Sequence, residues 1–365
     1  MHFEFFPSRT LTFYLARLFS VRILAVLLML VLVLQMLDLL GESGDILAHP
    51  GNGQAQLLYY VSLRIPQLIA RFLPYSVLLA TIITLATLNQ NSEVISMKAA
   101  GLSAHQVLAP LIATALVISG LSFAFNERVV TRATATLTAW QSADYGPVPK
   151  GSGSRNNVYI AEGRDILLAS TISGVGNAMV LTQVTYYRRD ASGMIVEQLR
   201  APRATFANPG WRMTGATRFD AQTVASTKLA SAVVAKGITP ARIEITGVDA
   251  DSESLFALSG SIESMRQAGR RTSELQASWW HKLSGPLSAA LMPLLGAIAA
   301  FGLARSGALL IRAVIGMALG FAYFVFDNAA LAMGNFGGYP PFVAAWAPFL
   351  LFALIGETVL IRTEE

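Results

Sequence analysis

The stretch from Ile23 to Leu40 is an apolar run of 18 residues broken only by Gln35 and Asp38. A helix rises about 1.5 Å per residue, so a run of this length crosses the roughly 30 Å hydrocarbon of a bilayer with its backbone satisfied internally. It exceeds the apolar core of a secretory signal, and no small-x-small cleavage site follows, so it is read as an uncleaved first helix. The signature recurs. A second span is expected from about Leu57 to Leu88 with Pro66 and Pro74 inside it, which suits a bent, cavity-lining segment. A third runs from Val107 to Phe125, and three more from Trp279 to Leu303, Leu309 to Met333 and Pro341 to Ile361.

With 53% hydrophobic and 13% charged residues the chain is too apolar for an ordinary soluble protein. Its charges are not evenly spread, however: residues 131–277 hold sixteen Lys and Arg against twelve Asp and Glu. Helical periodicity gives way there to short β-branched and aromatic runs, 179–190, 194–207 and 211–220, separated by the turn signals ASG and NPG. A β-sandwich or open barrel is expected, followed by a helix near 255–268 that returns the chain to the membrane. The expected organisation is helices one to three in 1–130, an all-β domain in 131–277 inserted between helices three and four, and helices four to six in 278–365. The absence of cysteine excludes disulfides and thiolate metal sites.

Charge orients the spans. Arg9, Arg17, Arg22, Lys98, Arg305, Arg312 and Arg362 fall on one side, whereas the short loops 41–56 and 334–340 on the other hold neither Lys nor Arg. The positive-inside rule places both termini and residues 89–104 in the cytoplasm and the β domain outside. The 89–104 stretch reads as a short helix: Asn91 or Ser92 caps it, Glu93 occupies the first turn, and Gly101 closes it. Val94, Met97 and Lys98 are expected on one face, and Ser103 with Gln106 forms a capping box for the next helix. Spacing alone makes it a connector.

Motifs of catalysis are missing. No Lys follows a Gly, so there is no Walker A loop to cradle ATP, and HExxH and GxSxG are absent. His2, His49, His105 and His281 have no partner spacing and read as interfacial or solvated. The intramembrane charges say more. Arg64 and Arg71, seven apart, point the same way on a helix, and Arg128 and Lys282 fall at a similar outer depth. Four such cations suit the phosphates of an amphiphile, the alternative being that each snorkels to lipid headgroups. Asp38 and Asp327 are expected to pair with these cations or with polar groups between helices. Trp279 and Trp280 read as an interfacial belt.

The order of three spans, an outer β domain and three spans, together with NSEVISMKAAGLS at 91–103, resembles the LptF/LptG permease family of the lipopolysaccharide exporter. Ser92, Glu93, Met97, Ala99, Gly101 and Ser103 match the family pattern there. The resemblance continues through 258–269, 279–292 and 321–341, where YFVFDN and YPP are closer to the LptG branch. It implies an inner-membrane permease whose 89–104 segment is a coupling helix, with Ser92, Glu93, Met97, Lys98 and Gly101 at a cytoplasmic LptB-like ATPase dimer. It also implies a β-jellyroll passing lipopolysaccharide to LptC/LptA-like bridge proteins, and an LptF-like second permease completing the cavity. No cofactor is expected in the chain itself, ATP and Mg being bound by the partner ATPase, and no nucleic acid is involved. The LptG branch often carries lysines after the first-span aspartate. This chain has Leu39, Leu40, Gly41 and Glu42 there, so Arg64 and Arg71 are the candidates for phosphate contact. The rival readings are a membrane-anchored periplasmic scaffold and a secondary transporter with Asp38 or Asp327 as its proton site.

Overall fold

The computed structural model describes residues 6–141, 144–146, 155–174, 176–221, 223, 225–240, 243, 249–267, 269–297 and 309–364. His2, Arg305 and residues 298–303 of the expected fourth span lie outside these. The contacts divide the chain into two compact units, residues 1–41, 64–131 and 254–365 in the first, and 42–63 with 132–253 in the second.

Among the described residues, five helical stretches are long and apolar enough to cross a membrane: Arg9–Ala48, Gln54–Gln90, Ala104–Gln141, Val314–Asn335 and Pro341–Arg362. The corresponding helices are α1 (Arg9–Ala48), α2 (Gln54–Gln90), α4 (Ala104–Phe125), α8 (Leu309–Asn335) and α9 (Pro341–Glu364). Between α2 and α4 lies the short α3 (Glu93–Ala99). The helix α7 (Ser273–Ala297) has 25 described residues, but His281, Lys282, Ser284, Ser288 and two prolines dilute its apolar character, and it does not join the five.

Two boundaries differ from expectation. The loop expected at 41–56 is helical as far as Ala48, because Gly41 and Gly44 cost a helix only about 1 kcal/mol each. The turn is confined to His49–Gly53, where Gly51 takes φ +96° and the Asn52 amide donates to the Ile46 and Tyr145 carbonyls. Likewise, the all-β domain was expected to begin at 131, yet α4 continues through a π-helical turn, Asn126–Val130, into α5 (Thr131–Gln141). Alanine and threonine in TRATATLTAW alternate too weakly to declare a strand, and Trp140, fully buried with its indole N–H on the Gly146 carbonyl at 2.7 Å, fixes the end of α5.

The core of the first unit joins Leu15, Phe19, Val77, Leu85, Leu108, Leu111, Met292, Leu295, Tyr323 and Phe352 from six helices. Helix α1 is the exception in burial: Leu24, Leu28, Met29, Leu32, Met36 and Leu40 are all more than half exposed. Small residues set the closest approaches between helices, as is usual where association within a bilayer depends on van der Waals packing. A Cβ on Gly296 would stand 2.7 Å from the Thr81 methyl, and one on Gly356 2.8 Å from Leu294 Cγ.

Among its described residues the second unit contains one six-stranded antiparallel sheet in consecutive order: β1 (Arg155–Glu162), β2 (Asp165–Ser173), β3 (Val180–Arg189), β4 (Ile195–Phe206), β5 (Trp211–Asp220) and β6 (Ala225–Val234). The three strands read from the sequence are β3, β4 and β5. One face carries a packed core of Ile160, Leu167, Leu181, Val184, Leu199, Trp211 and Met213, with the Trp211 indole on the Ile238 carbonyl at 2.7 Å. The β3–β4 turn is stapled by Asp190, whose Oδ1 accepts from the Ser192 hydroxyl and from the Ser192 and Met194 amides. The Ser192 hydroxyl and these amides hold the Asp190 carboxyl below the usual carboxylate range.

Candidate functional site

The polar turn between α2 and α4 is built from opposed demands. Ser92 occupies the N-cap of α3 but has φ 61° and makes no side-chain capping bond, which corrects the expected serine cap. Gly101 at φ +87° reverses the chain, and Ser103 and Gln106 form the expected reciprocal capping box. Val94 and Met97 enter the bundle core, so α3 is fastened to the helices beneath it. Lys98, expected on that same face, is exposed instead, because two turns of helix bury only the i, i+3 pair before the chain ends at Ala99. The outward face therefore presents Ser92, Ile95, Ser96, Lys98 and Ala99, with Ile95 52% exposed. Glu93 is not simply solvated: the Tyr14 hydroxyl on α1 donates to its Oε2 at 3.1 Å. A second tie, His105 Nε2 to Glu357 Oε1 at 2.9 Å, joins the first turn of α4 to α9.

Arg64 on α2 grips Asp38 on α1, with Nε 3.1 Å from both carboxylate oxygens and Nη2 2.8 Å from Oδ1, while Nη1 donates to Gln67. Arg71, two turns along the same continuous helix, is exposed, as is Arg128 in the π-helical turn; Lys282 on α7 is partly buried. The structure thus separates Arg64, held in an ion pair with Asp38, from the exposed Arg71 and Arg128. Arg128 follows Glu127, whose Oε2 accepts the Leu255 amide at 2.8 Å and so fastens the start of helix α6 (Leu255–Gln267). Trp279 secures the same residue from α7, its indole N–H on the Leu255 carbonyl at 3.2 Å. A cavity of about 210 Å³ lies there between Ser259, Ile262, Gln276, Trp279 and Trp280.

Asp327 on α8 is 7% exposed and pairs with His281 on α7 at 3.0 Å. Neither an arginine nor a lysine is the partner shown, and His281 is no bystander. The sequence carried no local signal for this pair or for Tyr14 with Glu93, because their partners lie 46 and 79 residues apart. In the second unit Tyr145 donates to Glu42, and burial with that hydrogen bond raises its phenol to about 12. The cavity beside it, about 520 Å³, is lined by Glu42, Asp45, His49, Gln141 and Asp144. Among the described residues no group of three His, Cys, Asp or Glu is placed to hold a metal.

Helices apolar enough to cross a membrane with charge pairs tied between them, a short polar helix at one turn and a separate β-sheet unit define a multi-pass membrane protein. The chain belongs to the family described as lipopolysaccharide export system permease LptF/LptG, whose profile matches residues 13–362. It is 25% identical to the lipopolysaccharide export system permease protein LptG of Escherichia coli K12, over 87% of this chain and 89% of that protein. The LptG protein of Haemophilus influenzae Rd is 23% identical over 85% of this chain and 87% of its own length.

Proposed function

We propose that this chain is an inner-membrane permease subunit of an ATP-driven exporter that extracts lipopolysaccharide from the membrane and passes it to a periplasmic bridge. The observation that carries the reading is the family match across almost the whole chain, from residue 13 to residue 362. In this reading α7 is the remaining span, both termini are cytoplasmic, and the six-stranded sheet belongs to a periplasmic jellyroll-like wall. An LptF-like permease stands beside it, its exposed α1 offering the apolar surface for lipid and for that second subunit.

The chain has no phosphate-binding loop, so ATP and Mg belong to a separate LptB-like ATPase dimer. The outward face of α3 docks on that ATPase through Ser92, Ile95 and Lys98, with Met97 and Gly101 fixing the helix from behind. Glu93 is shared: Tyr14 holds its carboxylate, so a cation of the ATPase that takes it also pulls on α1. The lipid's phosphates meet Arg71, Arg128 and Lys282, and reach Arg64 by displacing Asp38. Bridge proteins of the LptC/LptA kind receive the lipid. Depletion of the chain from growing cells tests the reading: newly made lipopolysaccharide should accumulate in the inner membrane, and unchanged delivery to the cell surface would refute it.

A further inference from the structure

The two faces of the β sheet treat charge differently. Every Asp and Glu of the six strands falls in one cross-strand row, Glu162 opposite Asp165, Asp165 opposite Arg188, Arg188 opposite Glu197 and Glu197 opposite Asp220. Opposed residues of an antiparallel pair share a face, and this row lies on the face of the apolar core, where Glu197 pairs with both Arg188 and Arg218. The cations of the core face are therefore neutralised by the chain itself.

The outward face has no such provision. Arg200 stands opposite Thr185 and Thr217, Arg203 opposite Thr182 and Thr214, Arg212 opposite Thr205, and Lys228 opposite Thr217. All four cations are exposed, and among the described residues none of them forms an ion pair. Strands lie about 4.8 Å apart, so Arg200 and Lys228, two strands distant in one row, are separated by about 10 Å. Threonine hydroxyls fill the positions between. Larger apolar groups stand at the ends of these rows, Tyr159 and Leu168 beyond Thr185 in the Arg200 row, and Val180 and Val233 on either side of Thr205 and Arg212, while Tyr187 and Phe219 flank Gln198 in the neighbouring row.

We infer that this face binds the phosphorylated saccharide headgroup of the exported glycolipid, an inference that rests on the proposed function. Arginine forks reward phosphate with paired, charge-assisted hydrogen bonds, and the interleaved hydroxyls match sugar hydroxyls. A protein partner fits less well, because the centres of protein interfaces are apolar and poor in charge, the reverse of this patch.

The test uses the full-length chain in zwitterionic nanodiscs and the water-soluble phosphorylated oligosaccharide obtained by removing the acyl chains of lipopolysaccharide. It should bind, weaken with salt, and fail to bind after phosphatase treatment. Arg203→Glu with Arg212→Glu should lower affinity about tenfold or more per lost arginine contact, and Arg203→Lys with Arg212→Lys should retain part of it. Thermal melting checks that the variants fold, as exposed positions predict. Equal binding by wild type and the glutamate pair would overturn the inference. So would binding of poly-glutamate or phosphatidylglycerol vesicles at this face without binding of the oligosaccharide. Export that persists in depleted cells refutes the proposed function whatever the oligosaccharide does. Export that stops, with oligosaccharide binding indifferent to the glutamate pair, removes the sheet-face site alone.

Discussion

The Arg64–Asp38 pair decides whether a cation in the bundle is a structural tie or a waiting phosphate ligand. Two parallel contacts at 2.8 and 3.1 Å join side chains that are 29% and 19% exposed, so the pair lies between the surface and buried regimes. Unit charges about 4 Å apart attract by about 4 kcal/mol at an effective dielectric near 20. Desolvation and partial exposure remove about half, leaving a coupling of about 2 kcal/mol. A double-mutant cycle of Asp38→Ala and Arg64→Ala, followed by denaturation in mixed micelles, should recover that coupling; less than about 0.5 kcal/mol would refute the argument. The functional corollary has a sign. Asp38→Asn removes the competing anion and should tighten lipopolysaccharide binding, up to about thirtyfold if the whole 2 kcal/mol is released. Arg64→Gln should weaken it. Weaker binding on both substitutions would mean that the pair only shapes the cavity.

Tyr14→Phe should leave recovery of the complex with the ATPase intact but reduce lipid-stimulated hydrolysis severalfold, whereas Ile95→Asp should abolish recovery; loss of recovery in both would mean that Tyr14 merely folds α3. Gly356→Ala should destabilise the chain by about 1–3 kcal/mol, because its new methyl meets Leu294, while Gly41→Ala, with open space around it, should stabilise by about 0.5–1 kcal/mol. Tyr145 has its phenol raised from 10 to about 12, so the neutral form is favoured in the folded chain. Its contribution is complete below pH 10 and lost as pH rises through about 12, and thermal melts of wild type minus Tyr145→Phe should show that loss.

The apolar runs made the spanning helices legible, because backbone satisfaction in lipid leaves a helix as the only form such a run can take. Helix ends were less so: Gly41 and Gly44 read as a break, but two glycines cannot stop a helix whose neighbours favour it. In the sheet, β3 to β5 announced themselves through Tyr186, Tyr187, Trp211 and their turns. The sequence ASTKLASAVV of β6 has neither strong alternation nor aromatics, and its strand is imposed by pairing with β5. At the coupling turn the capping box and Gly101 were local and readable. Lys98 was placed on the wrong face because helical periodicity does not tell where a short helix stops being covered. The pairs Tyr14–Glu93, His105–Glu357 and His281–Asp327 depend on helix packing across long sequence separations, and nothing near any of these residues signals its partner.

The central claim is that this chain moves lipopolysaccharide with energy supplied through α3. The most direct measurement is ATP-dependent release of lipopolysaccharide from proteoliposomes holding the chain with its second permease and ATPase, scored by photocrosslinking to a soluble periplasmic acceptor. Release should require ATP, collapse with Ile95→Asp, and fall with Arg64→Glu combined with Arg71→Glu. Release that proceeds equally without this chain, or without ATP, would contradict the account.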